Sequence, residues 1–169
     1  MVRIKNKKEL LHADLSENII GSCFEVIKEL GSGFLEDVYK NALLIAMKQK
    51  GLNVSVEQSF EVIFRNHKVG KYVADLIVEN LIVVELKCCK ALIPENQAQV
   101  INYLKASGLP IGLLVNFGNQ KLEYKRLHHP DIFFDSEDSV KRFFTLYCHK
   151  WNKENTLYPD HLNILFFQL

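Results

Sequence analysis

In the stretch Val73 to Lys87, VADLIVENLIVVELK, three charged side chains interrupt runs of Val, Ile and Leu: Asp75, Glu85 and Lys87. Charge inside apolar strands is costly unless it is paired or holds a metal. Side chains along a strand alternate between faces, so Glu85 and Lys87 point the same way. Whether Asp75 joins them depends on the loop between the two apolar runs. A two-residue Glu79-Asn80 loop sets Asp75 opposite Val84. A three-residue Glu79-Asn80-Leu81 loop sets it directly across from Glu85, and Asn tolerates the left-handed backbone such a loop needs. The three-residue loop is the expectation, because the alternative strands each carboxylate separately.

In that register the two acids have Cβ atoms about 5 Å apart, close enough to share one cation. Two carboxylates with a backbone carbonyl and waters suit Mg2+, and the Leu86 carbonyl is the natural third protein ligand. Such an ion makes a nucleophile from water and stabilises charge building on a phosphate. Lys87 would hold or help deprotonate the attacking water, or neutralise the transition state. A buried salt bridge of Lys87 with Asp75 or Glu85 is the competing reading. Two acids against one base leave excess negative charge, which a cation would balance.

These side chains must be positioned by strands and helices that the rest of the chain supplies. Ile20, Phe24, Ile27 and Leu30 recur at helical spacing from Ser16, and Gly31-Ser32-Gly33 ends that helix. Leu35, Val38, Ala42 and Ala46 line a second helix, stopped by Gly51. Val54 to Phe64, His67 to Val78 and Leu81 to Cys88 read as strands, the last two a hairpin. Pro94 opens a helix that runs to Ala106, with Gly108 as its cap. Ile111 to Phe117 is an almost wholly apolar strand, and Gly118-Asn119 turns the chain into a strand from Lys121 to Leu127. A last helix starts within Asp135 to Asp138, with Val140, Phe143, Phe144 and Tyr147 inward. The strand–helix–strand unit from Leu81 to Phe117 should be a right-handed parallel crossover, with the other pairings antiparallel. The expected fold is α/β, one mixed sheet flanked by helices.

At 169 residues, 48% apolar and 24% charged, the chain has the composition of one globular domain. A net charge of +1 excludes the global basic field of a sequence-independent DNA coater, so a nucleic-acid site would need a local patch or a metal. Cys23, Cys88, Cys89 and Cys148 form no CxxC pair, and neighbours Cys88 and Cys89 diverge on a strand. Reduced thiols in an intracellular, cytoplasmic protein are the expectation, and the start MVRIKNKKELL lacks a signal-peptide apolar core. His128-His129 and Cys148-His149 lack a zinc spacing. The aromatic tail NILFFQL either packs on the core or meets a second copy in a homodimer.

Asp75 followed by Glu85-Leu86-Lys87 resembles the D…ExK signature of the PD-(D/E)XK nuclease superfamily. GFLEDVY, Gly33 to Tyr39, is similar to the GxxExxY pattern that names one family within it, and QVINY, Gln99 to Tyr103, to the QxxxY motif of its exonuclease-like branch. The motifs occur in the expected order, and the resemblance covers about Ser16 to Leu127. The leading Pro of the signature is replaced by Ala74, a position with no metal chemistry. The resemblance implies a restriction-endonuclease-like core and Mg2+-dependent (or Mn2+-dependent) hydrolysis of nucleic acid, DNA rather than RNA.

It also implies that Gln99 and Tyr103 face the pocket, orienting Lys87 or touching the phosphate backbone; the rim of an amphipathic helix is the competing reading of their spacing. Glu36 could reach the metal as a third carboxylate or through a water, or simply favour the first turn of its helix. Tyr39 is expected to pack with a hydroxyl contact. A catalytically idle binding module on the same fold is the alternative function. Intact Asp75, Glu85 and Lys87 favour the enzyme, since an idle site need not keep costly buried charge.

Overall fold

A computed structural model describes residues 11–131. The chain divides into one unit through Pro130 and another from Asp131 onward. The expected helix after Asp135 and the apolar tail lie outside the described residues. Two helices come first, α1 (Ala13–Leu30) and α2 (Glu36–Gln49), followed by strands β1 (Val54–Phe64), β2 (His67–Val78) and β3 (Ile82–Lys87). Helix α3 (Pro94–Ser107), β4 (Ile111–Asn116) and β5 (Glu123–His128) complete the unit. The five strands lie in sequence order, with β3–β4 parallel and the other three pairings antiparallel. This is an α/β core of the restriction-endonuclease type, with β3 at its centre.

β3 and β4 are buried almost throughout, as expected of strands covered on both faces. Leu76, Val78, Ile82, Val84, Leu86, Leu113 and Val115 form one core with the inward residues of α1 and α2. Beneath α3, Gly112 leaves room for the helix: a Cβ there would come within 2.3 Å of the Val100 side chain.

The inward faces of the first two helices differ from the expected stripes. On α1 the buried line is Ile19, Cys23, Val26 and Ile27, while Phe24 and Leu30 are exposed. On α2 it is Tyr39, Leu43 and Met47, while Leu35 is 80% exposed and Val38 is also outward. Each helix carries two apolar lines about one residue apart, so periodicity alone leaves the choice open. On α1 the chosen line is flanked by small Ser16 and Ser22, whose hydroxyls bond their own helix at His12 and Asn18 carbonyls, so the helix can approach closely without orphaned groups. On α2 the chosen line holds Tyr39, whose ring stacks on Phe117 and whose hydroxyl donates to the Gly31 carbonyl at 2.7 Å. Tyr39 thus packs with a hydroxyl contact, as its sequence position implied.

Gly118 also serves differently from the expected tight turn. β4 pairs Asn116 with Glu123, leaving a six-residue connection between the strands. Gly118 is instead pressed on the chain after β3, where a Cβ would lie 2.2 Å from the Cys89 carbonyl oxygen.

Candidate active site

The β2–β3 ladder pairs Leu76 with Val84, Ile77 with Val83 and Val78 with Ile82, leaving Glu79-Asn80-Leu81 as the three-residue loop. Glu79 and Asn80 both take left-handed backbone, at φ 53° each. One further step in this register sets Asp75 opposite Glu85. There the main-chain ladder stops, and the Asp75 side chain substitutes for it: Oδ2 accepts the Leu86 N–H at 2.9 Å. β2 continues away paired only with β1, so the sheet opens beside the two carboxylates.

Glu85 is 2% exposed, and its two oxygens have different fates. Oε1 accepts from Lys87 Nζ at 2.5 Å. Oε2 is buried and makes no hydrogen bond of good geometry, although the Tyr103 hydroxyl interacts with this carboxylate. Burial, with the Asp75 charge adding to it, pushes the Glu85 carboxyl up to about 7 despite the lysine. Lys87 shifts upward as well. Burial works against its charge, but the Glu85 hydrogen bond and the charges of Glu85, Glu36 and Asp75 together outweigh that. The competing salt-bridge reading is therefore half realised: Lys87 satisfies one oxygen of one acid and leaves the cluster with excess negative charge.

Glu36 opens α2, and its half-buried carboxyl is raised by desolvation while it interacts with Lys87 and Asp75. From α3, Gln99 Nε2 donates to the Tyr103 hydroxyl at 2.5 Å. Burial and then the Glu85 charge push that hydroxyl up to about 12. Tyr103 is further held by an edge-on contact with Tyr72 of β2, with centroids 5.7 Å apart. Asp75, Glu85, Lys87, Glu36, Gln99 and Tyr103 thus lie within electrostatic or hydrogen-bond reach of one another through this network. Leu86 contributes main chain only, its side chain being core.

Some supporting residues were not singled out from sequence. Asn116 is fully buried, its amide gripping Cys89 N–H and C=O at 3.0 and 2.9 Å, and Glu123 accepts the Leu92 N–H at 3.2 Å. The Phe117 N–H donates to the Lys87 carbonyl at 2.7 Å, so the exit of β3 is fixed from β4. A lone Asn in the apolar run IGLLVNF was the available signal. Lys40 and Glu57, joined at 2.8 Å, gave none.

A sequence profile described as the PD-(D/E)XK nuclease superfamily matches residues 13–127. The chain belongs to this superfamily. Nuclease chemistry on a nucleic-acid substrate is therefore its functional class, and PD-(D/E)XK nucleases generally use divalent metal ions. No curated protein matches the chain. Among solved structures it is similar in fold to SSO0001, with a TM-score of 0.46 and 20% identity over 81% of this chain and 67% of that one. It is also similar to an alkaline exonuclease (LHK-Exo) from Laribacter hongkongensis, with a TM-score of 0.40 and 11% identity over 80% of this chain and 93% of that one.

The residues present suit a divalent ion of the kind PD-(D/E)XK nucleases use. A buried carboxylate oxygen without a well-formed hydrogen bond is what a cation would satisfy, and it belongs to the acid facing Asp75 across the opened ladder. Among the described residues no three His, Cys, Asp or Glu side chains form a ligand set. The protein's share would be two carboxylates and a main-chain carbonyl, with waters completing the shell, an all-oxygen set that suits a hard divalent ion better than zinc. Among the described residues no helix is long and apolar enough to cross a membrane.

Proposed function

We propose that the chain is a Mg2+-dependent phosphodiesterase of the GxxExxY branch that cleaves DNA, with Mn2+ able to substitute. Asp75, Glu85 and the Leu86 carbonyl hold the ion. The carrying observation is the buried Glu85 oxygen that lacks a well-formed hydrogen bond at the place where the β2–β3 ladder opens. When bound, the ion supplies Lewis-acid stabilisation of charge on the phosphate and an acidified water. Lys87, whose proton is held by three neighbouring acids, acts as a hydrogen-bond donor and cation toward the reacting phosphate rather than as a base. Tyr103, oriented by Gln99, limits where the Glu85 side chain can move. Glu36 works one remove from the ion, through a water, in keeping with the lack of a three-side-chain ligand set among the described residues.

DNA is favoured over RNA by the β1–β2 arm beyond Asp75. Residues 58–74 carry Arg65, Lys68 and Lys71 against one acid, Glu61, in a chain whose whole charge is +1. A two-stranded ribbon enters the major groove of B-form DNA, whereas the deep, narrow groove of A-form RNA excludes it. The test is cleavage of supercoiled plasmid and of labelled DNA and RNA oligonucleotides, with Mg2+ or with chelator. Metal-dependent DNA cleavage lost in Lys87→Met is expected; cleavage unaffected by chelator or by that substitution would refute the reading.

A further inference from the structure

Lys40 lies one turn beyond Glu36 on α2, on the same side of the helix. It is a buried lysine, 9% exposed, whose Nζ sits 2.8 Å from both Asp37 Oδ1 and Glu57 Oε1. Both acids are mostly exposed, so the lysine's aliphatic stem is covered while its ammonium meets the two carboxylates near the surface. Packing at this position would be served as well by Met, so the charge needs another explanation.

Glu57 supplies one. The β1–β2 register pairs Val56 with Leu76 and Gln58 with Ala74, so Glu57 is the residue facing Asp75. That rung is missing from the ladder, and Glu57 takes left-handed backbone, φ 52°, which is costly for a residue with a Cβ. Strain that persists at a site's edge is held there by surrounding contacts. The contact seen is the ion pair to Lys40.

We propose that Lys40 is a positioning residue: its two ion pairs tie the first turn of α2, which carries Glu36, to the strained link of β1 opposite Asp75, and so set the separation of those two acids. The proposal rests on the metal site proposed above. It makes a prediction opposite in sign to that of simple charge. Removing a cation beside acids should tighten divalent-ion binding if only Coulomb attraction mattered. Losing the brace should weaken it.

The experiment measures free Mn2+ by electron paramagnetic resonance in titrations of wild type, Lys40→Met, Lys40→Arg and Glu57→Gln, with melting temperatures recorded in parallel. Lys40→Met and Glu57→Gln are expected to raise the Mn2+ Kd about tenfold, the scale seen for partners that orient metal ligands, at temperatures well below melting. Lys40→Arg is expected to stay near wild type. Unchanged or tighter binding in Lys40→Met, or in Glu57→Gln should the first fail to fold, overturns the brace alone. A wild type that takes up no Mn2+ overturns the metal site, and the brace with it.

Discussion

Replacing Glu85 with Gln should stabilise the metal-free protein, and the gain should grow with pH. The wild-type carboxyl moves from an ordinary value of 4.5 to about 7 because it is buried beside Asp75. The folded state therefore holds a proton that the unfolded chain has released, between those two values. Stability falls as pH rises through that window and is level above it. A shift of this size corresponds to roughly 3 kcal/mol at pH 8 and to nothing below pH 4.5. Glu85→Gln removes the titration, so its advantage over wild type should be near zero at pH 4.5 and about 3 kcal/mol at pH 8, or about 6–12 °C in Tm. Urea unfolding at the two pH values, in chelator, measures it. Divalent ion at one hundred times its Kd should then return about 2.7 kcal/mol to wild type and none to the variant. A variant less stable than wild type at pH 8, or a difference that ignores pH, would refute the account of Glu85 as a strained, ion-awaiting ligand.

Other consequences follow from the same geometry. Gly118→Ala would drive a methyl group into the Cys89 main chain and should cost about 2–3 kcal/mol by chemical denaturation, since backbone cannot easily give way. Tyr39→Phe keeps the stacked ring but frees the Gly31 carbonyl, and should cost about 1–2 kcal/mol while leaving Mn2+ uptake intact. If the β1–β2 arm grips DNA, Arg65→Ala with Lys71→Ala should weaken duplex binding and flatten its logarithmic salt dependence by about 2, read by fluorescence anisotropy at several salt concentrations. Melting should change little in that double variant, because both side chains are exposed and Arg65 gives up only a contact over the exposed Phe64 ring.

The strands were legible in the sequence almost residue for residue, and the loop that aligns Asp75 with Glu85 followed from asking where two stranded acids could meet. The reason is that strand alternation and left-handed loop residues are local properties. Helix faces were less legible. Leu35 and Val38 are apolar yet outward, because Tyr39 finds both a stacking partner, Phe117, and an acceptor, the Gly31 carbonyl, that are distant or unmarked in the chain. The same holds for Lys40, which reads as one surface lysine among many until Glu57, seventeen residues away, takes its ammonium. Gly118 looked like a turn glycine, and only the packing of β4's exit against Cys89 shows that it is there for lack of a side chain. Contacts made by residues far apart in sequence carry no periodic trace.

The most direct measurement is anomalous diffraction from crystals grown or soaked with Mn2+. The account predicts a peak about 2.1 Å from a carboxylate oxygen of both Asp75 and Glu85 and from the Leu86 carbonyl oxygen. A well-bound Mn2+ elsewhere, with the Lys87 ammonium between the two acids in its place, would contradict it.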